Sequence, residues 1–153
     1  MNSLLHFLFY SPLWAALAAW LVCQCTKGVI SRFRNHRWDL RDFLGSGGMP
    51  SSHTATVVAL AYMVAVREGL ESSAFSISVI FAFIVMYDAV GVRRETGKQS
   101  QIINLIVNII TGRTDGEEYE KLNEIVGHTP FEVMGGVIAG ILVGFLWSLI
   151  PVP

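Results

Sequence analysis

The stretch AFSISVIFAFIVMYDAVGV, residues 74–92, with Arg93 and Arg94 directly after it, decides how this chain folds. Its sole charged residue is Asp88, close to the end, and its apolar length approaches the roughly 20 residues a helix needs to cross a bilayer core. Three further apolar blocks lie outward from it: Leu4 to Cys25, Thr54 to Val66 and Val133 to Val152. The chain has 153 residues, of which 52% are apolar and 15% charged. Soluble domains carry about 25% charged residues, so the composition disfavours an ordinary soluble domain. The pattern predicts an all-α, polytopic integral membrane bundle of about four spans plus a short amphipathic helix, with residues 1–153 forming one membrane-embedded domain.

Charge placement orients these spans. The formal net charge is only −1, yet ten of the eleven basic residues fall in two connections, Lys27 to Arg41 and Arg93 to Lys121, and Arg67 alone stands elsewhere. With four spans both connections share one side, and the positive-inside bias makes that side cytoplasmic, as in a bacterial inner membrane. No Lys or Arg precedes the first apolar run, so the reading keeps it as a span and not as a removable leader. Cys23 and Cys25 stand at the end of that span with no further cysteine to pair with, which favours apolar filler; acylation is the alternative. Membrane lipids are the expected surroundings, and no nucleic-acid partner is expected.

Local signals place the helix ends. Ser11 and Pro12 either start a helix or kink one that begins near Leu4. Gly45, Ser46, Gly47 and Gly48 form a glycine-rich approach, after which Ser51 or Ser52 caps a short span reaching about Arg67. Ile102 to Ile110 mixes apolar pairs with Asn104 and Asn108 at helical spacing, which predicts a short amphipathic helix at the interface or against the spans. Residues 112–127 are acidic and polar, predicting a loop and a short exposed helix. Thr129, Pro130 and Glu132 fit an N-cap, a first-turn proline and a capping-box partner. Gly136, Gly140 and Gly144 then make a stripe for close helix packing, within the chain or in a homo-oligomer.

Three polar clusters meet on the predicted cytoplasmic face: Lys27 with Arg34, the run Gly47 to His53, and Gly127 to Glu132, with Arg93 and Arg94 beside them. A phosphoryl group needs cations and amide donors around its oxygens, a nucleophile and a proton donor. These clusters supply each kind of group, and two helix amino ends add N–H donors.

On these residues the chain resembles the divergent branch of the type 2 phosphatidic acid phosphatase and haloperoxidase superfamily, over most of its length. Lys27 and Arg34 match the superfamily's Lys, six residues, Arg-Pro element, with Asn35 in place of the proline; Pro50-Ser51-Ser52-His53 matches Pro-Ser-Gly-His with one serine for glycine. The third element keeps His128 and, four residues on, Glu132 for Asp, but lacks its Ser-Arg pair: Leu122 stands at the arginine position. The strings Gly48-Met49-Pro50-Ser51-Ser52-His53, Gly91-Val92-Arg93-Arg94 and Gly127-His128-Thr129-Pro130 are similar to the divergent branch itself.

The resemblance implies a lipid phosphate phosphatase acting on phosphatidylglycerol phosphate, phosphatidate or a polyprenyl phosphate, without cofactor or metal. It makes His128 the nucleophile that becomes phosphohistidine, His53 the acid for the leaving oxygen and Glu132 the partner of His128. Lys27, Arg34, Ser51, Ser52 and Arg93 or Arg94 would bind phosphate. Two alternatives remain open on sequence: a non-catalytic binder of lipid headgroups, disabled by the missing Ser-Arg pair, and a metal-dependent phosphatase with Asp88 and Glu132 as ligands. Each residue also has a plainer role. Lys27 and Arg34 can anchor a helix at the headgroups, Arg93 and Arg94 can answer a helix dipole, Ser51 and Ser52 can cap, and Glu132 can serve its capping box alone.

Overall fold

The computed structural model describes residues 11–36, 48–111, 122 and 127–151. The side chain of Arg34, the glycine-rich approach at 45–47 and nearly all of the acidic connection 112–126 lie outside the described residues. Among the described residues five helices follow in order: α1 Pro12–Asn35, α2 Ser52–Glu68, α3 Ser73–Val90, α4 Val92–Thr111 and α5 Pro130–Ser148. No strand occurs among the described residues. The all-helical membrane bundle read from the sequence is what the chain forms.

Four of the described helix starts have a local cause. Ser11 caps α1 with Pro12 in its first turn, so Pro12 starts this helix and does not kink it. Ser51 caps α2 by accepting the Thr54 N–H, and Ser72 caps α3 by accepting the Phe75 N–H at 3.1 Å. Thr129 and Glu132 form the reciprocal capping box at the start of α5. Such caps satisfy N–H groups that the first turn leaves without carbonyl partners.

Among the described residues three segments are long and apolar enough to cross a membrane: Pro12–Phe33, Ser73–Ile110 and Pro130–Ser148. The fourth expected span, α2, has 17 residues, about 25 Å of helix against a hydrocarbon core of about 30 Å. That short helix is nonetheless the centre of the bundle, packed against α5, α1 and α3. Ala19 and Cys23 of α1 meet Ala55 and Ala59 of α2, with Ala139 and Val143 of α5 closing the cluster. Cys23 is therefore core filler, while Cys25 is exposed.

The glycine stripe of α5 explains why α2 can sit so close. A Cβ on Gly136 would lie 2.6 Å from the Ser51 carbonyl oxygen, and one on Gly140 would lie 2.7 Å from that of Ala55. On Gly144 it would lie 2.8 Å from the Tyr62 ring. All three glycines are buried, so the stripe is used within the chain. Packing at this distance substitutes dispersion contacts for the hydrophobic drive that lipid does not supply.

Polarity is arranged for lipid. Ile77, Ile80, Phe81, Phe83 and Ile84 of α3 face outward, while Gln24, Lys27, Ser51, Ser52, Thr54 and His128 are buried. The amphipathic segment expected at 102–110 is part of a longer helix, α4, since only Gly91 interrupts the run from α3. Its Ile102, Ile106, Ile109 and Ile110 are exposed, and Asn104 is buried on the other side.

Candidate functional site

Four segments meet at one end of the bundle. From α1 comes Lys27, only 6% exposed, whose Nζ donates to the Ser52 Oγ at 3.4 Å. From the start of α2 come Ser51, Ser52 and His53. The Ser51 N–H donates to the Glu132 carbonyl at 3.0 Å, which ties the first turns of α2 and α5 together. Thr54 Oγ1 donates to Ser51 Oγ at 3.0 Å and holds the cap in place. With the cap committed to Thr54, the N–H groups of Ser52 and His53 have no intrahelical acceptor.

The third segment is the junction of α3 and α4, and the fourth docks onto it. The His128 N–H donates to the Ala89 carbonyl at 2.9 Å. Gly127, at φ +87°, lies so close to Arg93 and Arg94 that any Cβ would collide with their backbone. A left-handed φ and this contact each require glycine. Asn104 secures the chain upstream by a double bond to the Leu122 backbone: its Nδ2 donates to the carbonyl at 2.9 Å and its Oδ1 accepts the N–H at 3.1 Å.

His128 is buried, with 3% of its surface exposed. Its Nδ1 lies 3.3 Å from Glu132 Oε2. The same carboxylate oxygen accepts the Thr129 N–H at 2.8 Å. Capping and pairing with histidine, alternatives on sequence, are thus performed together by one oxygen. The His53 ring stands 6.4 Å from that of His128, centroid to centroid, tilted by 55°. Burial pushes the His128 pKa below its ordinary value; the Glu132 hydrogen bond and charge oppose this, and Lys27 and Arg93 add to the depression. A neutral imidazole protonated on Nδ1 toward Glu132 leaves the Nε2 lone pair available.

Arg93 donates from Nε to Asp88 Oδ2 at 2.6 Å, an ion pair across the junction of α3 and α4. The positive charge of Arg93 acts on His128, while Arg94 contributes its backbone to the Gly127 contact. Among the described residues no three His, Cys, Asp or Glu side chains gather as a metal site needs. Lys27, Ser51, Ser52, His53, Arg93, His128 and Glu132 are brought together. Arg34 ends α1 at the same end, with its side chain outside the described residues. Sequence reasoning missed Ala89, Asn104 and the docking role of Gly127. Only the glycine carried a signal, its place directly before His128.

Fold and site define a polytopic helical membrane protein with an imidazole pair, one ring buried and one half-buried, and cations at one end of its bundle. The chain belongs to the Divergent PAP2 family, which it matches over residues 9–143. It is similar to the uncharacterized membrane protein YuiD of Bacillus subtilis (strain 168), 40% identical over 141 residues, covering 86% of this chain and 89% of that protein. No solved structure matches.

Proposed function

We propose that the protein is an integral membrane phosphatase that hydrolyses a phosphomonoester or diphosphate of a lipid through a phosphohistidine, at the cytoplasmic interface. The observation that carries this reading is the placement of His128, buried against Glu132 with His53 facing it 6.4 Å away. At that separation both rings can reach one phosphoryl group from different sides.

In the first step His128 Nε2 attacks phosphorus, the bond from phosphorus to the lipid oxygen breaks, and His53 gives that oxygen its proton. Glu132 stabilises the positive charge that grows on His128. In the second step water attacks the phosphohistidine, His53 takes the proton of water, and the phosphorus–nitrogen bond breaks to release inorganic phosphate. Lys27, Ser52, Arg34 and Arg93 or Arg94 hold the equatorial oxygens, assisted by the N–H groups at the start of α2. His53 must arrive protonated, and a phosphate dianion between the rings favours the charged form. The tail of the substrate stays in the bilayer while its phosphate enters among the cations.

The test offers purified protein phosphatidylglycerol phosphate, phosphatidate and a polyprenyl phosphate, and compares wild type with His128→Ala and His53→Ala. The reading expects phosphate release from at least one lipid and a loss of about a thousandfold or more in His128→Ala. Release unchanged by both substitutions removes the site assignment.

A further inference from the structure

The ion pair at the junction of α3 and α4 has a geometry that a plain helix cannot give. Asp88, the sole charged residue of the stretch 74–92, and Arg93 stand five residues apart. On an uninterrupted helix such residues lie about 140° apart around the axis. Gly91 breaks the register with ψ −101°, and the Arg93 Nε then reaches Asp88 Oδ2 at 2.6 Å. Both side chains are part-exposed, 49% and 39%, and a pair so open adds little to stability. Stability therefore does not account for a carboxylate placed in an apolar span.

Its neighbours do. The residue after Asp88, Ala89, accepts the His128 N–H at 2.9 Å, and Gly127 lies against the Arg93 backbone. Asp88 and Arg93 thus flank the attachment of the loop that carries His128. The charge of Arg93 acts on both imidazoles, and that of Asp88 on His53. Among the described residues the Arg93 side chain makes this one hydrogen bond, through Nε, so the Nη1 and Nη2 edge of its fork stays open for two oxygens of an anion. Arg94 follows about 100° further around α4, so the two side chains leave the helix in different directions. We infer that Asp88 is a positioning residue: its carboxylate holds Arg93, and not Arg94, as the arginine that receives the phosphate of the substrate. This rests on the phosphatase reading above for the substrate, though not for the binding of phosphate itself.

The test titrates inorganic phosphate against the purified full-length protein, reading Kd from the rise in thermal midpoint, and measures kcat and KM for dioleoylphosphatidate in mixed micelles. Asp88→Asn is made in wild type and in the Arg93→Gln and Arg94→Gln backgrounds. A carboxylate that only repelled the anion would on removal tighten binding. The inference predicts the opposite: Asp88→Asn raises Kd and KM about fivefold with kcat nearly kept, the worth of holding one flexible side chain in advance. That loss should persist in Arg94→Gln and vanish in Arg93→Gln, because Asp88 acts through Arg93 alone. The phosphate-free midpoint should stay near that of wild type, which separates the result from a folding defect. A Kd unchanged or lower in Asp88→Asn, or a loss of equal size in all three backgrounds, overturns the inference, as does wild type that binds no phosphate. Phosphate binding with the predicted coupling but no hydrolysis of any lipid phosphate defeats the phosphatase reading alone.

Discussion

The backbone N–H of His128 donates to the carbonyl of Ala89 at 2.9 Å, and this bond makes the end of α3 the platform for the loop that enters α5. The carbonyl belongs to the last turn of α3, where helix carbonyls lack intrahelical partners, so one bond satisfies two otherwise open groups. Gly127 completes the docking by lying against the backbone of Arg93 and Arg94. Gly127→Ala should therefore cost at least about 1–2 kcal/mol from the left-handed φ alone, with the collision added. Its thermal midpoint in detergent should fall, and phosphate release should fall further than stability explains because His128 is displaced. A variant with wild-type midpoint and turnover would contradict the docking.

The glycine stripe makes a separate prediction. Gly140→Val places methyl groups into the Ala55 carbonyl and Val58, contacts that have no slack. Overpacking of this kind costs about 1–3 kcal/mol. A chemical unfolding curve should shift accordingly, whereas Ile138→Val, on the exposed side of the same helix, should shift little.

Glu132 holds two neighbours through one oxygen, and substitution can separate them. Glu132→Gln keeps an acceptor for the Thr129 N–H but removes the charge beside His128. Stability should change by less than about 1 kcal/mol while kcat falls roughly 10–100-fold, the worth of a charge-assisted hydrogen bond. Thr129→Ala should do the reverse, losing about 1 kcal/mol of helix capping with kcat nearly kept. Equal kinetic effects from both substitutions would show that Glu132 serves only as a cap.

The pH dependence follows from the depressed pKa of His128, caused first by burial. Its folded value lies below the ordinary one of about 6.5, so the unfolded chain binds this proton first. The associated stability is fully present above about pH 6.5 and is lost as pH falls from there through the folded pKa. The acid limb of kcat/KM that reports His128 should likewise lie below pH 6.5. Glu132→Gln should move that limb further down, since the carboxylate is what opposes the depression. An acid limb above pH 6.5 that Glu132→Gln leaves in place would assign it to another group.

Much of this was legible in the chain because it is written locally. The caps at Ser11, Ser51 and Thr129 depend on neighbours within a turn, and the four-residue spacing of Gly136, Gly140 and Gly144 marks one face of a single helix. The apolar length of residues 74–92 likewise fixed a span without reference to the rest. What was not legible depends on long-range contact. Asn104 read as the polar side of an amphipathic helix, and only the folded chain brings Leu122 to it across 18 residues. α2 read on sequence only as a short span, whereas its small side chains and the facing glycines make it the bundle's centre. Whether Glu132 caps or pairs was open because either role needs the same position, and geometry alone reveals that one oxygen does both.

The most direct measurement of the central claim is a rapid quench of the protein with a lipid carrying labelled phosphate, followed by mapping of the label. The account predicts a label stable in base and labile in acid on His128, absent in His128→Ala and formed slowly in His53→Ala, whose leaving group lacks its proton donor. Steady turnover with no phosphorylated histidine, or label on another residue, would contradict it.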